Sequence, residues 1–262
     1  HEPHEPVASP QNLVEAYRQF ARTEDEAQYF ANVANVDLAV GRLVDAIEQQ
    51  ELRDNTLLVF TSDNGPETLN RYRSANRSYG QPGPLRGMKL HTTEAGFRVA
   101  GIINWKDHLS KNLIGTTNPS PISSLDLLPT FCDLANIAIP SDGELDGISL
   151  KPLLDGKKFA RQQPLIWAYY NAINETRVAM RHGKWKVLAR LNGGATQKLT
   201  NVTNEMLPLI RDAKLTDIEI YDLSRDISEQ NNLAKSDQAL TKELSQRLSE
   251  EYRELVSGSH VW

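Results

Sequence analysis

The sequence predicts an α/β protein: a mostly parallel sheet sandwiched by helices over residues 1–158, then a smaller α+β subdomain with an antiparallel sheet over 159–262. Three observations predict it. A long stretch of helical periodicity runs directly into an apolar strand-like run, a succession that is half of a βαβ unit. That alternation persists to about residue 155, and beyond "LLDGKKFARQQP" it gives way to short strand-like runs broken by turn signals.

Each element has its own reason. Thr23 followed by Glu26 is a capping-box pattern, and Phe30, Val33, Val36, Val40, Leu43, Val44 and Ile47 recur at helical spacing, so 23–50 reads as one amphipathic helix with a face for a sheet. After the turn "ELRDN", the run Thr56–Phe60 has no polar alternation, as expected of a parallel strand covered on both faces. Residues 65–87 are rich in Gly, Pro, Arg, Ser and Asn without apolar periodicity, a long loop of the kind that carries function. Phe97–Trp105 reads as a second buried strand. "SSLDLLPTFCDLAN" reads as a helix capped by Ser123 or Ser124, with Leu125, Leu128, Phe131 and Leu134 along one side. In the last part, "LIWAYY", "TRVAMRHG", "KWKVLARL" and "EIYDL" read as strands, "RHGK" as a hairpin turn, and 237–256 as a charged amphipathic helix.

Composition narrows the function classes. Of 262 residues 39% are hydrophobic, enough for a substantial core, and 29 Lys and Arg against 34 Asp and Glu give a net charge of −5. That balance lacks the basic stripe of a nucleic-acid binder. No run approaches the roughly 18–20 apolar residues of a membrane span, so a soluble chain is expected. The single cysteine, Cys132, excludes an intrachain disulfide and a Cys-rich zinc site, and its apolar surroundings make it a small core residue. The chain opens on "HEPHEPVASP" without Met, so its first residue is not expected to be the start of translation.

The chemistry-bearing residues cluster in three places. "SDNG" follows the first predicted strand; ligands of α/β sheets gather at strand carboxyl ends, and Asp63 and Asn64 carry the oxygen donors that Ca²⁺ or Mg²⁺ prefers, while Gly65 permits a sharp exit. The same letters also describe an ordinary turn. "HEPHEP" places His1 and His4 on extended backbone; a histidine there suits proton donation or anion binding, and a solvated terminus explains it equally. "GPLRGMKLHTTEAGFRV" sets Arg86, Lys89, His91, Glu94 and Arg98 ahead of the second strand, with His91 and Arg98 reading more readily as structural donors.

Taken in order, "PHEP", "DNTLLVFTSDNGP", "LRGMKLHTTEAGFRV", "SSLDLLPTFCDLANI", "LDGISLKPLLDG", "MRHGKWKVL" and "IYDLSRDISEQNNLA" resemble the formylglycine-dependent sulfatases, the arylsulfatase-like branch of the alkaline phosphatase superfamily, nearly end to end. The resemblance implies an alkaline phosphatase-like fold and hydrolysis of sulfate esters, with calcium the expected metal and magnesium the second choice. It implies Asp63 and Asn64 as calcium ligands, Lys89 as a sulfate contact, and His4 as the residue that binds sulfate and protonates the leaving oxygen. His1, Arg86, His91 and Tyr170 are further candidates for touching substrate. Tyr170 belongs to a cluster with Tyr169, Asn171, Asn174 and Arg177 that suits a sugar ring or simply a solvated hairpin.

The chain departs from the family pattern in one decisive place. The C/S-x-P-x-R segment that yields the formylglycine nucleophile is absent, Cys132 in "FCDLA" does not replace it, and the paired acids of the family's first strand are missing too. Ala100 stands where the family usually carries proline. The expectation is a C-terminal portion of a sulfatase whose N-terminal half is its partner, inactive alone, acting on a sulfated carbohydrate or an aryl sulfate in a periplasmic or secreted setting, or in a lysosome in a eukaryote. The alternatives are a phosphonate or phosphodiester hydrolase of the same superfamily and a non-catalytic sulfated-glycan binding protein. Asn76, Asn174 and Asn201 head N-x-S/T sequons, which indicate surface polarity.

Overall fold

The computed structural model describes residues 3–139, 145–194 and 202–259; His1 and Asn201 lie outside the described residues. Two compact units form, His1–Lys106 and Asp107–Trp262.

In the first unit, helices α1 (Gln11–Tyr17) and α2 (Glu24–Gln49) pack through the fully buried Val14, Ala27 and Ala31. Thr23 caps α2 as expected, its hydroxyl accepting the Glu26 N–H at 3.1 Å. The reciprocal arm of the capping box is redirected. Glu26 instead accepts the Arg22 N–H at 2.6 Å and the Arg22 guanidinium, so its carboxylate holds the entry to the helix one residue earlier. The expected sheet-facing stripe of α2 is not fully covered among the described residues: Val33, Val40 and Leu43 are 46%, 37% and 55% exposed.

The apolar run after α2 forms strand β1 (Leu57–Thr61). A short helix α3 (Glu94–Phe97) then takes the residues at which the second strand was expected to start, and strand β2 (Gly101–Trp105) follows. Contrary to the expectation of a parallel, doubly covered strand at 56–60, β1 pairs with β2 antiparallel, from Leu57 opposite Trp105 to Thr61 opposite Gly101, and Phe60 and Ile102 remain exposed. An unbroken apolar run signals a position between layers, not a strand direction. The described residues supply no third strand to this sheet.

In the second unit a single turn, Lys111–Leu113, precedes the turn Ser124–Asp126, where Ser123 and Asp126 complete a capping box, and the chain continues as helix α4 (Leu127–Leu134) and the short helix α5 (Lys151–Leu154). Asp126 is fully buried. It accepts the N–H groups of Ser123 and Ile148 at 2.8 and 2.9 Å and pairs with the buried Arg161, so one carboxylate joins three segments. Cys132 is buried, whereas Leu125, Leu128 and Phe131 face outward.

The four expected strands are β3 (Leu165–Ala168), β4 (Thr176–His182), β5 (Trp185–Leu191) and β6 (Leu215–Asp222), an antiparallel sheet in the order β3-β4-β5-β6, with helix α6 (Leu207–Arg211) ahead of β6. Gly183 turns the β4–β5 hairpin at φ 55°, a left-handed conformation that glycine adopts without a Cβ clash. Helix α7 (Gln238–Gly258) places Leu244, Leu248, Tyr252 and Val256 on one stripe at four-residue spacing, against Val178, Met180, Val187 and Ile220 of the sheet. Truncating Leu248, fully buried in that core, to alanine should cost about 2–5 kcal/mol. Leu209→Ala, at a 43% exposed position, should stay within about 0.5 kcal/mol of the parent, and urea unfolding separates the two.

Candidate active site

β1 ends in Ser62-Asp63-Asn64-Gly65. Asp63 is exposed, with only the Ser62 hydroxyl 3.4 Å from its Oδ1 among the described contacts. The Asn64 amide nitrogen donates to Gly65 O at 2.9 Å, which leaves the side-chain oxygen of Asn64 to accept or to ligate. The turn is then locked from behind, since Gly65 N–H donates to Gly96 O at 3.0 Å, and a Cβ on Gly65 would sit 1.7 Å from Ala95 O.

The segment after the long loop docks on the same turn. Lys89 N–H donates to Pro66 O at 2.8 Å, and Lys89 O accepts the Thr68 hydroxyl. Arg86 O accepts Ala95 N–H at 3.0 Å, although the Arg86 residue itself is exposed. His91 donates from Nδ1 to Met88 O at 3.0 Å, which fixes its ring on this segment. Gly96 lies so close to His91 O, 1.9 Å from an added Cβ, that only glycine fits there. Glu94, buried, pairs with Arg98 at 3.3 Å and so supports α3 rather than the site.

Lys89 Nζ stands 3.6 Å from Glu67 Oε2, and both side chains are largely buried. Arg71 grips Glu67 with two bonds of 3.1 Å, the Thr68 N–H adds a third at 3.0 Å and the Tyr72 hydroxyl a fourth at 3.3 Å. Burial pushes the Glu67 carboxyl up, but the Arg71 guanidinium, helped by Lys89, overcomes this and holds it below the usual carboxylate range. Burial and the Glu67 charge raise the Tyr72 phenol. Sequence reasoning took this loop as functional without finding Glu67, Arg71 and Tyr72; the only signal was an acid and an arginine four residues apart in a segment without periodicity.

Asp63, Asn64, Arg86, Lys89 and His91 therefore belong to one interlocked group of loops. His4 is exposed, its Nδ1 donating to Glu5 O at 2.7 Å. Its segment is anchored through the buried Val7, whose carbonyl accepts Arg77 at 3.0 Å, and through Ala8 O, which accepts Asn32 of α2 at 3.1 Å. Tyr170 is in the other unit, its hydroxyl 3.3 Å from that of Tyr252 beside the α7 core, an arrangement that employs the side chain in packing. An open depression of about 620 Å³ is lined by Asp25, Tyr72, Arg73, Ser74, Asn76 and Arg77 and by none of Asp63, Asn64 and Lys89. Among the described residues no group of three His, Cys, Asp or Glu side chains is disposed to hold a metal. Asp63 and Asn64 thus supply at most one side of the six to eight oxygens that calcium takes.

Two family models match the chain, "Sulfatase" over residues 1–137 and "N-sulphoglucosamine sulphohydrolase, C-terminal" over 89–256. The chain belongs to the sulfatase family. Human arylsulfatase A is 34% identical over 242 residues, which cover 88% of this chain and 44% of that protein. The N-acetylgalactosamine-6-O-sulfatase of Bacteroides thetaiotaomicron is 28% identical over 222 residues, 82% of this chain and 40% of its own. The chain spans less than half the length of either relative. In fold it resembles the PsFucS1 sulfatase from Pseudoalteromonas sp., at TM-score 0.68 and 21% identity over 100% of this chain and 48% of that one. It also resembles the phosphonate monoester hydrolase of Agrobacterium radiobacter, at TM-score 0.53 and 20% identity over 86% and 41%. These likenesses establish the α/β fold of the sulfatases, to which the antiparallel sheet β3–β6 belongs as the C-terminal part.

Within this sulfatase chain the lock behind Asp63 is steric. Gly65→Ala should therefore displace the turn and lower the unfolding midpoint markedly. Gly101→Ala, where an added Cβ meets nothing within 4 Å, should leave it within a degree or so; thermal unfolding compares them.

Proposed function

We propose that the full-length protein is a sulfatase that hydrolyses sulfate esters of a carbohydrate, with Asp63 and Asn64 as ligands of a calcium ion and Lys89 and His4 as the groups that face the ester. The observation that carries the reading is the pair of backbone bonds, Gly65 to Gly96 and Lys89 to Pro66, which tie the two oxygen donors and the lysine to one rigid turn. The free side-chain oxygen of Asn64 and the exposed carboxylate of Asp63 fit a hard cation. Bound there, a divalent ion would supply Lewis-acid stabilisation of charge on the sulfuryl oxygens.

The chain's own residues then have distinct tasks. Lys89 donates hydrogen bonds to a sulfuryl oxygen, where negative charge accumulates as the S–O bond to the alcohol breaks. His4 would serve as the general acid: as an imidazolium it gives a proton to the leaving alkoxide, which departs as the alcohol, and is left as neutral imidazole. Arg86 and His91 border the same loops and would meet the sugar; Tyr170 is left to packing. A formylglycine, carried by a segment outside these residues, would supply the nucleophile for the net conversion of sulfate ester and water into alcohol and sulfate.

That segment is the N-terminal portion of the same protein. Its need is supported by surfaces with no cover among the described residues. In the first unit these are Val33, Leu38 and Leu43 of α2 with Phe60 and Ile102 of the sheet; in the second, Leu125, Leu128 and Phe131. A lone pair of strands is marginal in water, and exposed apolar faces of this extent mark interfaces. Residues 159–262 form the smaller subdomain of the proposal. No described helix is long and apolar enough to cross a membrane, and a periplasmic or secreted location is proposed with the function.

Two other readings remain open to the same test. They are hydrolysis of a phosphonate or phosphodiester, and binding of a sulfated glycan without catalysis. The full-length protein should hydrolyse an aryl sulfate, lose about 10²–10³ in kcat on Lys89→Ala, and lose activity on chelation of calcium with recovery on its return. Faster turnover of a phosphonate ester would move the assignment to the first alternative, and retention of sulfated glycan without turnover to the second.

A further inference from the structure

We propose that Glu67 is the positioning residue of the site, pinning the Lys89 ammonium against the substrate while Arg71 keeps the pair's surroundings cationic. The proposal rests on the sulfatase reading above and adds residues that the reading does not use. Three consecutive residues hold Lys89 at three points: Pro66 O takes its N–H, the Thr68 hydroxyl donates to its carbonyl, and Glu67 Oε2 faces its Nζ. A lysine is a compact charge on a flexible stem, so a fixed counter-ion decides where that charge sits.

Glu67 is itself fixed. Arg71 engages both of its oxygens at 3.1 Å, and the Arg71 guanidinium lies 4.7 Å from the centre of the Tyr72 ring, whose hydroxyl returns to Glu67 Oε2. The carboxylate side chain is only 9% exposed. At 3.6 Å the contact between Nζ and Oε2 is an ion pair longer than a hydrogen bond, so the donors of Lys89 stay available for sulfuryl oxygens. A buried carboxylate would by itself cancel Lys89 and repel an anionic ester. The bidentate Arg71 removes that objection, because two cations around one acid leave the cluster positive.

The test uses the full-length protein with an aryl sulfate and, in parallel, the ¹⁵N signal of the Lys89 ammonium on titration with inorganic sulfate. Glu67→Gln should lower kcat about tenfold or more and weaken the response of the Lys89 signal to sulfate, and Glu67→Asp should restore part of both. Arg71→Ala should raise KM several-fold with a smaller change in kcat, and Arg71→Lys should restore part of the KM. A structural role alone would lower the melting temperature and leave the Lys89 response to sulfate unchanged. If Glu67→Gln folds and retains both kcat and the Lys89 response, or if Glu67→Gln fails to fold while Glu67→Asp and Arg71→Ala match the parent in kcat and KM, the proposal is overturned. If the parent turns over no sulfate ester yet Lys89 responds to sulfate and Glu67→Gln abolishes the response, the positioning stands and the sulfatase reading falls.

Discussion

The hydrogen bond from Gly65 N–H to Gly96 O is the constraint on which the candidate site depends. It draws the end of β1 against α3 so closely that a Cβ on Gly65 would meet Ala95 O, while Gly96 is kept without a side chain by His91 O of its own segment. A hydrogen bond of this kind is worth only about 1 kcal/mol net. The steric requirement at Gly65 explains why a glycine follows the acid and the amide. Once the contact forms, Pro66 O is presented to Lys89 N–H, and two segments that are distant in sequence share one backbone frame.

The elements legible in the sequence are those specified within a few residues. Thr23 caps α2 because its hydroxyl needs only the N–H three residues on. Gly183 turns a hairpin because a left-handed residue between two alternating runs allows little else. The amphipathic pattern over 237–256 announces α7, and its stripe Leu244, Leu248, Tyr252 and Val256 packs on the antiparallel sheet. Asp63, Asn64 and Lys89 were visible as residue types in suggestive places. Their association through Pro66 and Gly96 was not visible, because nothing local in either segment encodes the register between them.

The misreadings have the same origin. The run Leu57–Thr61 is apolar throughout, and that pattern reports covered faces without reporting strand direction; its partner β2 runs antiparallel. The stripe on α2 predicted burial, and the described residues leave much of it exposed. On the proposed function that stripe is the face on which the N-terminal portion of the protein packs, and the chain spans less than half the length of the relatives it matches. Glu67 escaped notice for the opposite reason. A loop acid has no period, and its significance lies wholly in the arginine, tyrosine and lysine that the fold gathers around it.

Charge explains why such a gathering suits the proposed chemistry. A sulfate ester is an anion, and two carboxylates, Asp63 and Glu67, stand on the same short turn as the lysine that is to receive it. Left bare, both would oppose binding. Glu67 is answered within the chain, its acidity strengthened and its charge offset by Arg71. Asp63 meets no cation among its described contacts and lies exposed at the strand end, where the proposed function gives it a divalent ion shared with Asn64. On the proposed function the two acids therefore serve different ends, one aiming a fixed ammonium and the other fixing a metal, and the turn at Gly65 is what lets both act on a single tetrahedral anion.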